Sequence, residues 1–487
     1  MRLKDLTNNI NFIDYKDCKD CKNLYIENIS SDSRKIKKNG LFIAIKGKIF
    51  NGNNFILNAI NNGAVVIVSE EKINIGKNVI FILVKSAREA LAEISKKFYG
   101  SYCDELKSIA ITGTNGKTST SYIIKHILDS NGEKTGLIGT ITNKIGDYFL
   151  PSIRTTPEAD ELHELFRRMK NNDCDKVIIE VSSHALALKR VHAINFDITI
   201  FTNLSNDHLD FHASMEDYFR TKKELFHKIK NSKSKRIINI DNEWGKKLAD
   251  IFPDQIITFG CSNDADVRIK GIKEYFNKTS FKIYSPWGSL KITTPLIGKF
   301  NVYNIVAAII ASYCLKINLS SIKKSLKFIN PILGRMELVS DYQKKFIFID
   351  YAHTEDALEA ALSAIKKISK NKIWIVFGCG GNRDKTKRIK MGEIASKYSD
   401  HIIITSDNPR SENPFTICSE IKKGCKKNSD VRIVIERKEA IEYAVNNIKS
   451  NDILLIAGKG HENYQEVNGY ITSFNDHDVV KECINGR

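Results

Sequence analysis

Apolar residues recur along this chain in short runs, and stretches with a helical spacing of apolar positions lie between them. From about residue 105 the runs are almost continuously apolar, at 108–111, 176–181 and 197–201. Such runs are typical of strands covered on both faces, as in a doubly wound parallel sheet. Between about 255 and 294 several short strands replace helices, which predicts an antiparallel insert followed by a helix over 302–315.

The residues before this region have a different pattern of apolar positions, which predicts short strands at 41–45, 64–69 and 79–84. Helical spacing near 54–62 and 86–98 separates them, and Gly63 stands where a helix C-cap is expected. The residues after Gly334 again alternate strands and helices, with strands at 346–350, 372–377, 402–405, 431–435 and 453–457. The pattern therefore predicts an α/β protein of three domains: a small α/β domain over 1–104, a central doubly wound, P-loop-like sheet over 105–333, and a C-terminal Rossmann-like sheet over 334–487.

Length and composition narrow the class of protein. A chain of 487 residues is too long for one core, and 42% hydrophobic with 27% charged residues fits a globular protein. Without an apolar run long enough for a bilayer, or an apolar core near the N-terminus, we expect a cytoplasmic protein with no membrane insertion. The ten cysteines are scattered, which favours free thiols over disulfides, and Cys18 and Cys21 form only half a zinc motif.

The net charge of +18 permits a nucleic-acid partner, and a nucleic-acid-binding ATPase is one hypothesis. The lysines, however, are spread over the whole length, and no motif combines aromatic and basic residues for reading bases. A positive field also suits anionic nucleotide substrates. We therefore expect small-molecule substrates and no nucleic acid.

Residues 113–118 read Gly-Thr-Asn-Gly-Lys-Thr and come directly after an apolar strand. A glycine loop, a lysine and a hydroxyl residue before a helix predict a phosphate-binding loop, with Lys117 as a cation and Thr118 as a Mg²⁺ ligand. The general Walker form has a further glycine five residues before Gly116, where this chain has Ile111. An ordinary glycine turn is the alternative.

Two other strand ends of the central region carry candidate metal ligands. Glu180 ends a buried strand, where a carboxylate suits Mg²⁺, although it could simply cap the next helix. His208 follows the next strand within a cluster of histidines and carboxylates that could bind metal or carry protons, or remain solvated in a loop.

The C-terminal strands end in polar or glycine-rich sequences, and ligands collect at such ends of parallel sheets. Arg383 and Arg410 provide two guanidinium groups, Glu462 a carboxylate and Asn408 an amide. Because arginine grips carboxylates bidentately and a carboxylate holds an ammonium group, this set suits a zwitterionic amino acid. A structural ion-pair network is the alternative.

With these motifs the sequence resembles the Mur ligases, the ATP-dependent amide-bond-forming enzymes of peptidoglycan precursor synthesis, over essentially its whole length. The family-level matches are Asp-Ser-Arg at 32–34, the loop at 113–118, Glu-Val-Ser-Ser-His at 180–184, Asp-His-Leu-Asp at 207–210, Asn-Val-Tyr-Asn at 301–304 and Gly-Lys-Gly-His-Glu at 458–462. Residues 377–384 and 406–410 resemble more specifically the subgroup that adds meso-2,6-diaminopimelate to UDP-N-acetylmuramoyl-L-alanyl-D-glutamate.

The resemblance implies a role for each matching residue. Lys117, Glu180, His208 and Lys222 would be catalytic, Thr118 would join the last three as metal ligands, and Lys222 would be carbamylated by CO₂. ATP would contact Gly113, Thr114, Asn115, Gly116, Lys117, Thr118, Ser119, Asn304, Arg335 and Asp350. The UDP-sugar-peptide would contact Ser31, Ser33, Lys48, Ile49, Phe50, Arg154, Thr155, Thr156, Ser182, Leu188 and Arg190. The amino acid would contact Arg383, Asp407, Asn408, Pro409, Arg410, Gly458 and Glu462.

The implied cofactors are Mg²⁺ and the Lys222 carbamate, and the implied assembly is a monomer. Arg410 could pair with a second carboxylate that lysine lacks, and lanthionine carries the same two amino acid heads as diaminopimelate. The sequence departs from the family pattern at four positions. Leu188 stands where relatives often have a polar residue, Arg154 where asparagine is frequent, Asn382 where aspartate is common and Ile389 where proline is common. A lysine-adding Mur ligase and a folylpolyglutamate synthetase-like ligase remain as alternatives.

Overall fold

A computed structural model describes residues 1–8, 10, 12–15, 24–47, 50–74 and 79–485. The strands are β1 Phe12–Tyr15, β2 Asn28–Ser30, β3 Gly40–Ile43, β4 Ala64–Ser69, β5 Ile80–Val84, β6 Lys107–Thr112, β7 Thr135–Ile138, β8 Thr142–Ile145, β9 Tyr148–Pro151, β10 Lys176–Glu180, β11 Ile198–Phe201, β12 Lys235–Asn239, β13 Ile256–Gly260, β14 Val267–Tyr275, β15 Lys278–Ser285, β16 Gly288–Thr294, β17 Glu337–Ser340, β18 Phe346–Asp350, β19 Ile373–Phe377, β20 His401–Ile404, β21 Asp430–Ile433, β22 Ile453–Ala457, β23 Tyr464–Val467 and β24 Tyr470–Ser473.

The helices lie between these strands. They are α1 Leu3–Thr7, α2 Ile56–Asn61, α3 Ala87–Tyr99, α4 Tyr102–Glu105, α5 Lys117–Asp129, α6 Ala159–Asn171, α7 Ser183–Ala187, α8 Met215–His227, α9 Glu243–Ile251, α10 Lys299–Cys314, α11 Leu319–Lys327, α12 Glu355–Ile368, α13 Lys387–Tyr398, α14 Pro414–Lys423, α15 Arg437–Asn447 and α16 Asp476–Asn485. In the described part of the chain, none of these helices has the length and apolar character needed to cross a bilayer.

The chain forms two compact units. The first comprises Met1–Thr112, Glu133–Thr199 and Thr221–Ser234, and the second comprises Gly113–Gly132, Ile200–Arg220 and Lys235–Arg487. The predicted domain boundaries near 104 and 333 stay predictions.

The first unit contains two groups of strands. The N-terminal sheet has the order β1-β5-β4-β3-β2, in which β2 to β5 run parallel and β1 is antiparallel to β5. In the second group β10 pairs in parallel with both β6 and β7, and β8 and β9 extend it antiparallel. The middle residues of β6 and β10, such as Ile109 and Ile178, are fully buried, which explains why both strands read as continuous apolar runs.

The second unit begins its own strands with β12, β13 and β14, which pair in parallel. Then β14, β15 and β16 pair antiparallel, and this confirms the antiparallel insert predicted between 255 and 294. Helix α10 is almost entirely buried and packs against α5, the helix that follows the glycine loop.

The C-terminal sheet of the second unit has the order β17-β18-β22-β19-β20-β21. All its neighbouring pairs are parallel except β17 with β18. Alternate residues of its strands face two cores. One core contains Phe348 and Ile375 with helices α12 to α14, and the other contains Ile349 and Val376 with α15 and α16. This arrangement confirms the expected Rossmann-like sheet, and the α/β fold class is as predicted.

Candidate active site

The glycine loop begins directly after β6 and adopts a backbone that only glycine accepts easily at two positions. Gly113 has φ +147° and Gly116 has φ +88°, and a Cβ on Gly116 would lie 2.3 Å from Asn304 Oδ1. Helix α5 starts at the next residue, Lys117. The loop therefore presents backbone N–H groups at a helix N-terminus, the arrangement that suits phosphate.

The second unit encloses a cavity of about 270 Å³ beside this loop. Six of the predicted ATP contacts line it: Asn115, Gly116, Ser119, Asn304, Arg335 and Asp350. The aromatic rings of Phe259, Phe300, Tyr303 and Tyr351 add apolar walls that the sequence did not indicate. A cavity with flat apolar walls and phosphate-binding groups at one side suits a nucleotide.

The other loop residues that are predicted to contact ATP form hydrogen bonds with protein groups. The Nζ atom of Lys117 donates hydrogen bonds of 2.8 Å to the carbonyls of Gly113 and Thr114. The hydroxyl of Thr114 receives a 3.0 Å bond from the N–H of Ser205. Thr118 is buried, and its hydroxyl accepts a 3.2 Å bond from Arg335.

Arg335 and Asp350 form the polar side of the cavity. The guanidinium of Arg335 lies 4.6 Å from the centre of the Tyr351 ring, and its buried Nε has no hydrogen-bond partner among the described residues. Both oxygens of Asp350 accept backbone N–H bonds, from Met336 at 2.6 Å and Ala352 at 2.8 Å. Burial nevertheless raises the pKa of Asp350 to about 6, because those bonds and Arg335 offset the loss of hydration only in part.

Two histidines of the second unit lie close to Asp207. Burial alone would raise the pKa of Asp207, but the charges of His208, His353 and Lys387 lower it below its usual value. His208 Nε2 is 3.4 Å from the Asp207 carboxylate. His353 Nδ1 donates a 2.8 Å bond to the carbonyl of Tyr351, which leaves the lone pair on Nε2, and burial lowers the pKa of His353.

Several of the residues predicted to bind the amino-acid substrate form a connected cluster at the C-terminal sheet. Asn408 donates a 3.0 Å bond to Glu462, and its amide oxygen accepts a 3.0 Å bond from the buried ammonium of Lys459. These two partners fix the orientation of the Asn408 amide. Burial, followed by the nearby charge of Asp407, raises the pKa of Glu462.

Arg410 lies in the same cluster and has φ +53°. Its NH1 donates a 2.8 Å bond to the carbonyl of Gly381, and its Nε is 3.2 Å from the carboxylate of Glu466 on β23. The carbonyl of Pro409 lies against Gly381, where a Cβ would come within 2.0 Å of it. The predicted Arg383 instead lies 3.5 Å from Asp210 and is half exposed.

Gly458 and Asp407, which are also predicted to bind the amino-acid substrate, lie against each other. A Cβ on Gly458 would come within 2.6 Å of the Asp407 carboxylate, and Gly458 has φ +109°. The position therefore requires glycine for both its backbone and the approach of that carboxylate.

The first unit contains a separate cavity of about 670 Å³. Four predicted UDP-sugar contacts line it: Ser31, Ser33, Phe50 and Arg154. Lys48 and Ile49 lie outside the described residues, as do Cys18 and Cys21. Asp160 is buried at the cavity wall and accepts bonds from the Ser30 hydroxyl at 3.2 Å and the Ser31 N–H at 3.1 Å.

The other predicted contacts of the first unit form a network beside that cavity. The Thr156 hydroxyl bonds the carbonyl of Glu180 at 2.8 Å and receives the N–H of Ser182 at 3.2 Å. Arg190 bonds the carbonyl of Thr156 at 3.0 Å and pairs with Glu158 at 2.7 Å. The carbonyl of Leu188 accepts a 3.4 Å bond from Arg88, and the N–H of Leu188 donates a 2.8 Å bond to the carbonyl of His184.

Glu180 and Lys222 are both buried in the first unit. The two oxygens of Glu180 accept bonds from the N–H and the hydroxyl of Thr140, at 3.2 and 2.8 Å, and that hydroxyl is 3.1 Å from the hydroxyl of Thr155. Lys222 Nζ lies 3.4 Å from the hydroxyl of Thr112, the last residue of β6. Its neighbour Lys223 is only half-buried, so α8 directs Lys222 and not Lys223 inward.

Sequence reasoning missed Lys459, Glu466 and Asp160. Lys459 stands inside the Gly-Lys-Gly-His-Glu motif, and its position between two glycines was the available signal. Glu466 and Asp160 carry no local signal, because their partners lie far away in sequence.

Fold and site together define an α/β protein with a glycine loop beside a cavity that suits a nucleotide, and with a second cavity lined largely by charged and polar side chains. Three family sequence models match successive segments: the Mur ligase family catalytic domain at residues 25–99, the Mur ligase middle domain at 111–312, and the Mur ligase glutamate ligase domain at 334–460. The chain belongs to the Mur ligase family.

Similar proteins agree with this assignment. The UDP-N-acetylmuramoyl-L-alanyl-D-glutamate–2,6-diaminopimelate ligase of Caldanaerobacter subterraneus subsp. tengcongensis is 43% identical, with 95% of each chain covered. The ligase of the same name from Bacillus velezensis is 42% identical, with 94% of each chain covered. A solved structure of a ligase of that name superposes with a TM-score of 0.70 at 31% identity, covering 100% of this chain and 99% of the other.

Proposed function

We propose that this enzyme uses ATP to join meso-2,6-diaminopimelate to UDP-N-acetylmuramoyl-L-alanyl-D-glutamate in peptidoglycan precursor synthesis. The observation that carries the proposal is the cluster at the C-terminal sheet, where Arg410, Asn408 and Glu462 come together. An oxygen of the D-glutamyl carboxylate attacks the γ-phosphorus of ATP, ADP leaves, and an acyl phosphate forms. The amine of diaminopimelate attacks it, and phosphate leaves as the amide bond forms.

ATP fits the cavity of the second unit. The adenosine lies between the aromatic walls, Asn304 contacts the base, and Asp350 accepts the ribose hydroxyls. The phosphates lie against the N–H groups of the loop, and the unpartnered Arg335 Nε gains a phosphate oxygen. Lys117 Nζ moves from the loop carbonyls to the β- and γ-phosphates, where a cation offsets the charge that develops on transfer.

Mg²⁺ fits the chemistry of the proposed donors. Glu180 offers a fully buried carboxylate and Thr118 a buried hydroxyl, which are the hard oxygen ligands that this cation prefers, and His208 and Lys222 would complete the set. Carbamylation with CO₂ would convert the buried Lys222 into an anionic oxygen ligand. The bound cation would neutralise phosphate charge and hold the γ-phosphate for transfer.

The second substrate fits the cavity of the first unit. Arg34, Lys35 and Arg154 line it and supply cations for a diphosphate, and Ser31, Ser33 and Phe50 contact the uridine side. Thr155, Thr156, Ser182 and Arg190 bind the muramoyl-dipeptide. A uridine-diphosphate site of this kind distinguishes the proposed enzyme from a folylpolyglutamate synthetase.

The diamino diacid fits the C-terminal cluster. Arg410 grips one of its carboxylates bidentately, Asp407 and Glu462 hold the ammonium group of the same amino acid head, and Arg383 swings in from Asp210. Lysine ends in an ammonium group where diaminopimelate carries this head, and the guanidinium would repel it. Lanthionine carries the same head and remains an alternative substrate.

The attacking amine must lose a proton. Neutral His353, with its Nε2 lone pair available and Nδ1 bonded to Tyr351, is a candidate for the general base. We further propose a cytoplasmic monomer, because ATP and UDP-linked precursors are cytoplasmic substrates and described residues of a single copy of the chain line both proposed pockets.

The test combines enzyme, UDP-N-acetylmuramoyl-L-alanyl-D-glutamate, ATP and Mg²⁺ with diaminopimelate, lanthionine or lysine, and measures phosphate release and tripeptide product. We expect the highest kcat/KM with diaminopimelate and a far lower value with lysine. No phosphate release with any of the three would overturn the proposal, and a preference for lysine would support the lysine-adding alternative.

Arg410→Ala probes the assigned role within that assay. Loss of a bidentate charged contact costs about 1.5–3 kcal/mol, so the KM for diaminopimelate should rise about 10- to 100-fold while the KM for ATP stays within about twofold. Equal increases in both KM values would contradict the assignment.

A further inference from the structure

The hairpin of β23 and β24 holds Arg410 by its main chain. The N–H of Arg410 bonds the carbonyl of Glu466 at 3.1 Å, and the N–H of Asn468 bonds the carbonyl of Arg410 at 2.7 Å. Arg410 thus lies in a bridge with Val467 while its φ of +53° is one that a non-glycine residue rarely adopts. The hairpin fixes where the Arg410 side chain leaves the backbone.

The same hairpin also holds the loop before Arg410. Gln465 donates a 2.7 Å bond to the carbonyl of Asp407, and the N–H of Glu466 donates a 3.0 Å bond to the side chain of Asn408. Buried Lys459 bonds both Asn408 and the carbonyl of Tyr464 in β23. The motif loop and the hairpin therefore form one hydrogen-bonded assembly.

Within that assembly the guanidinium of Arg410 is held at two of its nitrogens. Its Nε lies 3.2 Å from the carboxylate of Glu466, and its NH1 donates to the carbonyl of Gly381 at 2.8 Å. Gly380 permits this approach, because a Cβ there would lie 3.1 Å from NH1. Two anchors on different nitrogens define the plane of the group.

Among the described residues the NH1 contact with Gly381 is a hydrogen bond, whereas the Nε contact with Glu466 is an ion pair without hydrogen-bond geometry. The N–H groups of NH2 have no hydrogen-bond partner among the described residues, and NH1 and NH2 together form the end of the guanidinium that can grip a carboxylate bidentately. About a quarter of the Arg410 side chain is exposed, and the same is true of Glu466, so a ligand can reach the pair.

We propose that Glu466 is a positioning residue that orients Arg410 and thereby sets the enzyme's preference for an amino acid with a second carboxylate. The proposal rests on the proposed function. It differs from the role of Arg410 itself, because Glu466 acts through Arg410 and need not touch the substrate. An anchored guanidinium meets the carboxylate with no loss of side-chain freedom, whereas an unanchored one must be ordered during binding.

The test compares Glu466→Ala, Glu466→Gln and wild type, each with diaminopimelate and with lysine. The Gln side chain keeps the size of Glu466 and a polar oxygen beside Arg410 Nε but loses the negative charge, whereas Ala removes the contact. We expect Glu466→Ala to raise the KM for diaminopimelate about tenfold and Glu466→Gln about twofold, with kcat and the KM for ATP nearly unchanged. The ratio of kcat/KM for diaminopimelate over lysine should fall about tenfold in Glu466→Ala.

Tyr470→Ser is the matched control, because Tyr470 lies on the same hairpin, is highly exposed and is not among the contacts of Arg410. It should behave as wild type, and all variants should melt within a few degrees of one another. Rescue by Gln but not by Ala is the result that a merely structural role would not produce.

The inference is overturned if Glu466→Ala keeps wild-type KM and selectivity, or if it changes the KM for ATP and for both amino acids equally. The reactions of the wild-type enzyme distinguish failure of the role inferred for Glu466 from failure of the proposed function. If wild type makes no product with any amino acid, the proposed function fails and this inference fails with it; if wild type selects diaminopimelate and Glu466→Ala does too, only this inference fails.

Discussion

Asp350 is a carboxyl group whose ionisation changes close to neutral pH because the protein buries it. Its pKa is raised to about 6, so it is mostly ionised at pH 7.5 and about nine-tenths protonated at pH 5. A protonated carboxyl accepts ribose hydroxyls poorly, so the Kd for ADP should rise up to about tenfold between these pH values. Calorimetric titration of wild type and Asp350→Asn checks this, since the variant should bind ADP more weakly at pH 7.5 and lose most of this pH dependence.

Lys222 and Lys223 provide a matched pair of lysines on one helix. Because Lys222 is buried and Lys223 is half-buried, only Lys222 is proposed to carry the carbamate. Lys222→Ala should lower kcat at least about 100-fold, the usual scale for loss of a group that stabilises phosphate charge, whereas Lys223→Ala should stay within about threefold. A carbamate carbon signal after exchange with ¹³C-bicarbonate should appear in wild type and Lys223→Ala and vanish in Lys222→Ala. A signal lost only in Lys223→Ala would reverse the assignment.

The role of a residue can be predicted when the residue belongs to a local sequence motif. It cannot be predicted when the role depends on contacts with residues far away in sequence. The glycine loop at 113–118 and the strand-end sequence at 407–410 identify Gly116 and Arg410 as candidates from their residues alone, whereas Asn304, Arg335 and Asp350 follow from the resemblance to the Mur ligases. Asp160 bonds Ser30 and Ser31 across about 130 residues of sequence, and such pairing leaves no local pattern. Metal ligation by Glu180 and His208 stays a prediction.

At the scale of elements, buried strands were the most predictable because both faces are apolar. Ala64–Ser69, Phe346–Asp350 and Ile453–Ala457 agree with the prediction residue for residue. Strand β17 and the hairpin of β23 and β24 were missed, since they are half-buried or exposed and lack continuous apolar character. Helix α5 starts at Lys117, directly after the glycine loop, although its first turn is polar and gives no apolar signal.

Helix α6 contains a histidine in an unfavourable position. His163 is fully buried against Phe166, and neither ring nitrogen has a hydrogen-bond partner among the described residues. Burial lowers its pKa to about 3, so the unfolded chain binds a proton below pH 6.5 that the folded helix does not. The histidine therefore adds no protonation penalty to folding above pH 6.5, and stability falls as pH drops from 6.5 towards 3 because the unfolded chain takes up a proton that the fold excludes.

His163→Leu should raise the free energy of unfolding by about 1–3 kcal/mol at pH 7, the usual cost of an unsatisfied buried polar group. It should also flatten the loss of stability between pH 6.5 and 4. His163→Gln separates the two effects, because it cannot titrate but keeps unsatisfied polar atoms. Denaturant unfolding of the three proteins at pH 7 and pH 5 measures both, and a destabilised His163→Leu with an unchanged pH slope would refute this interpretation.

At the scale of the whole molecule, each compact unit has a cavity of its own. Among the described residues, those of the second unit line the cavity proposed for ATP, and those of the first unit line the cavity proposed for the UDP-linked substrate. Each ligand should therefore bind without the other. This is a consequence of how the chain divides, since residues 113–132 belong to the second unit although they follow β6 of the first.

Hydrogen–deuterium exchange with one ligand at a time tests this division. A non-hydrolysable ATP analogue with Mg²⁺ should slow exchange in 113–132 and in α10 and α12, which follow or line its cavity, because a bound ligand suppresses local opening. UDP-N-acetylmuramoyl-L-alanyl-D-glutamate alone should instead slow exchange around 31–35, 50–58 and 154–161. Two outcomes would contradict independent binding. The ATP analogue alone would protect 31–35, or the sugar peptide would bind only after ATP. Either outcome would mean that a ligand in one cavity changes the other.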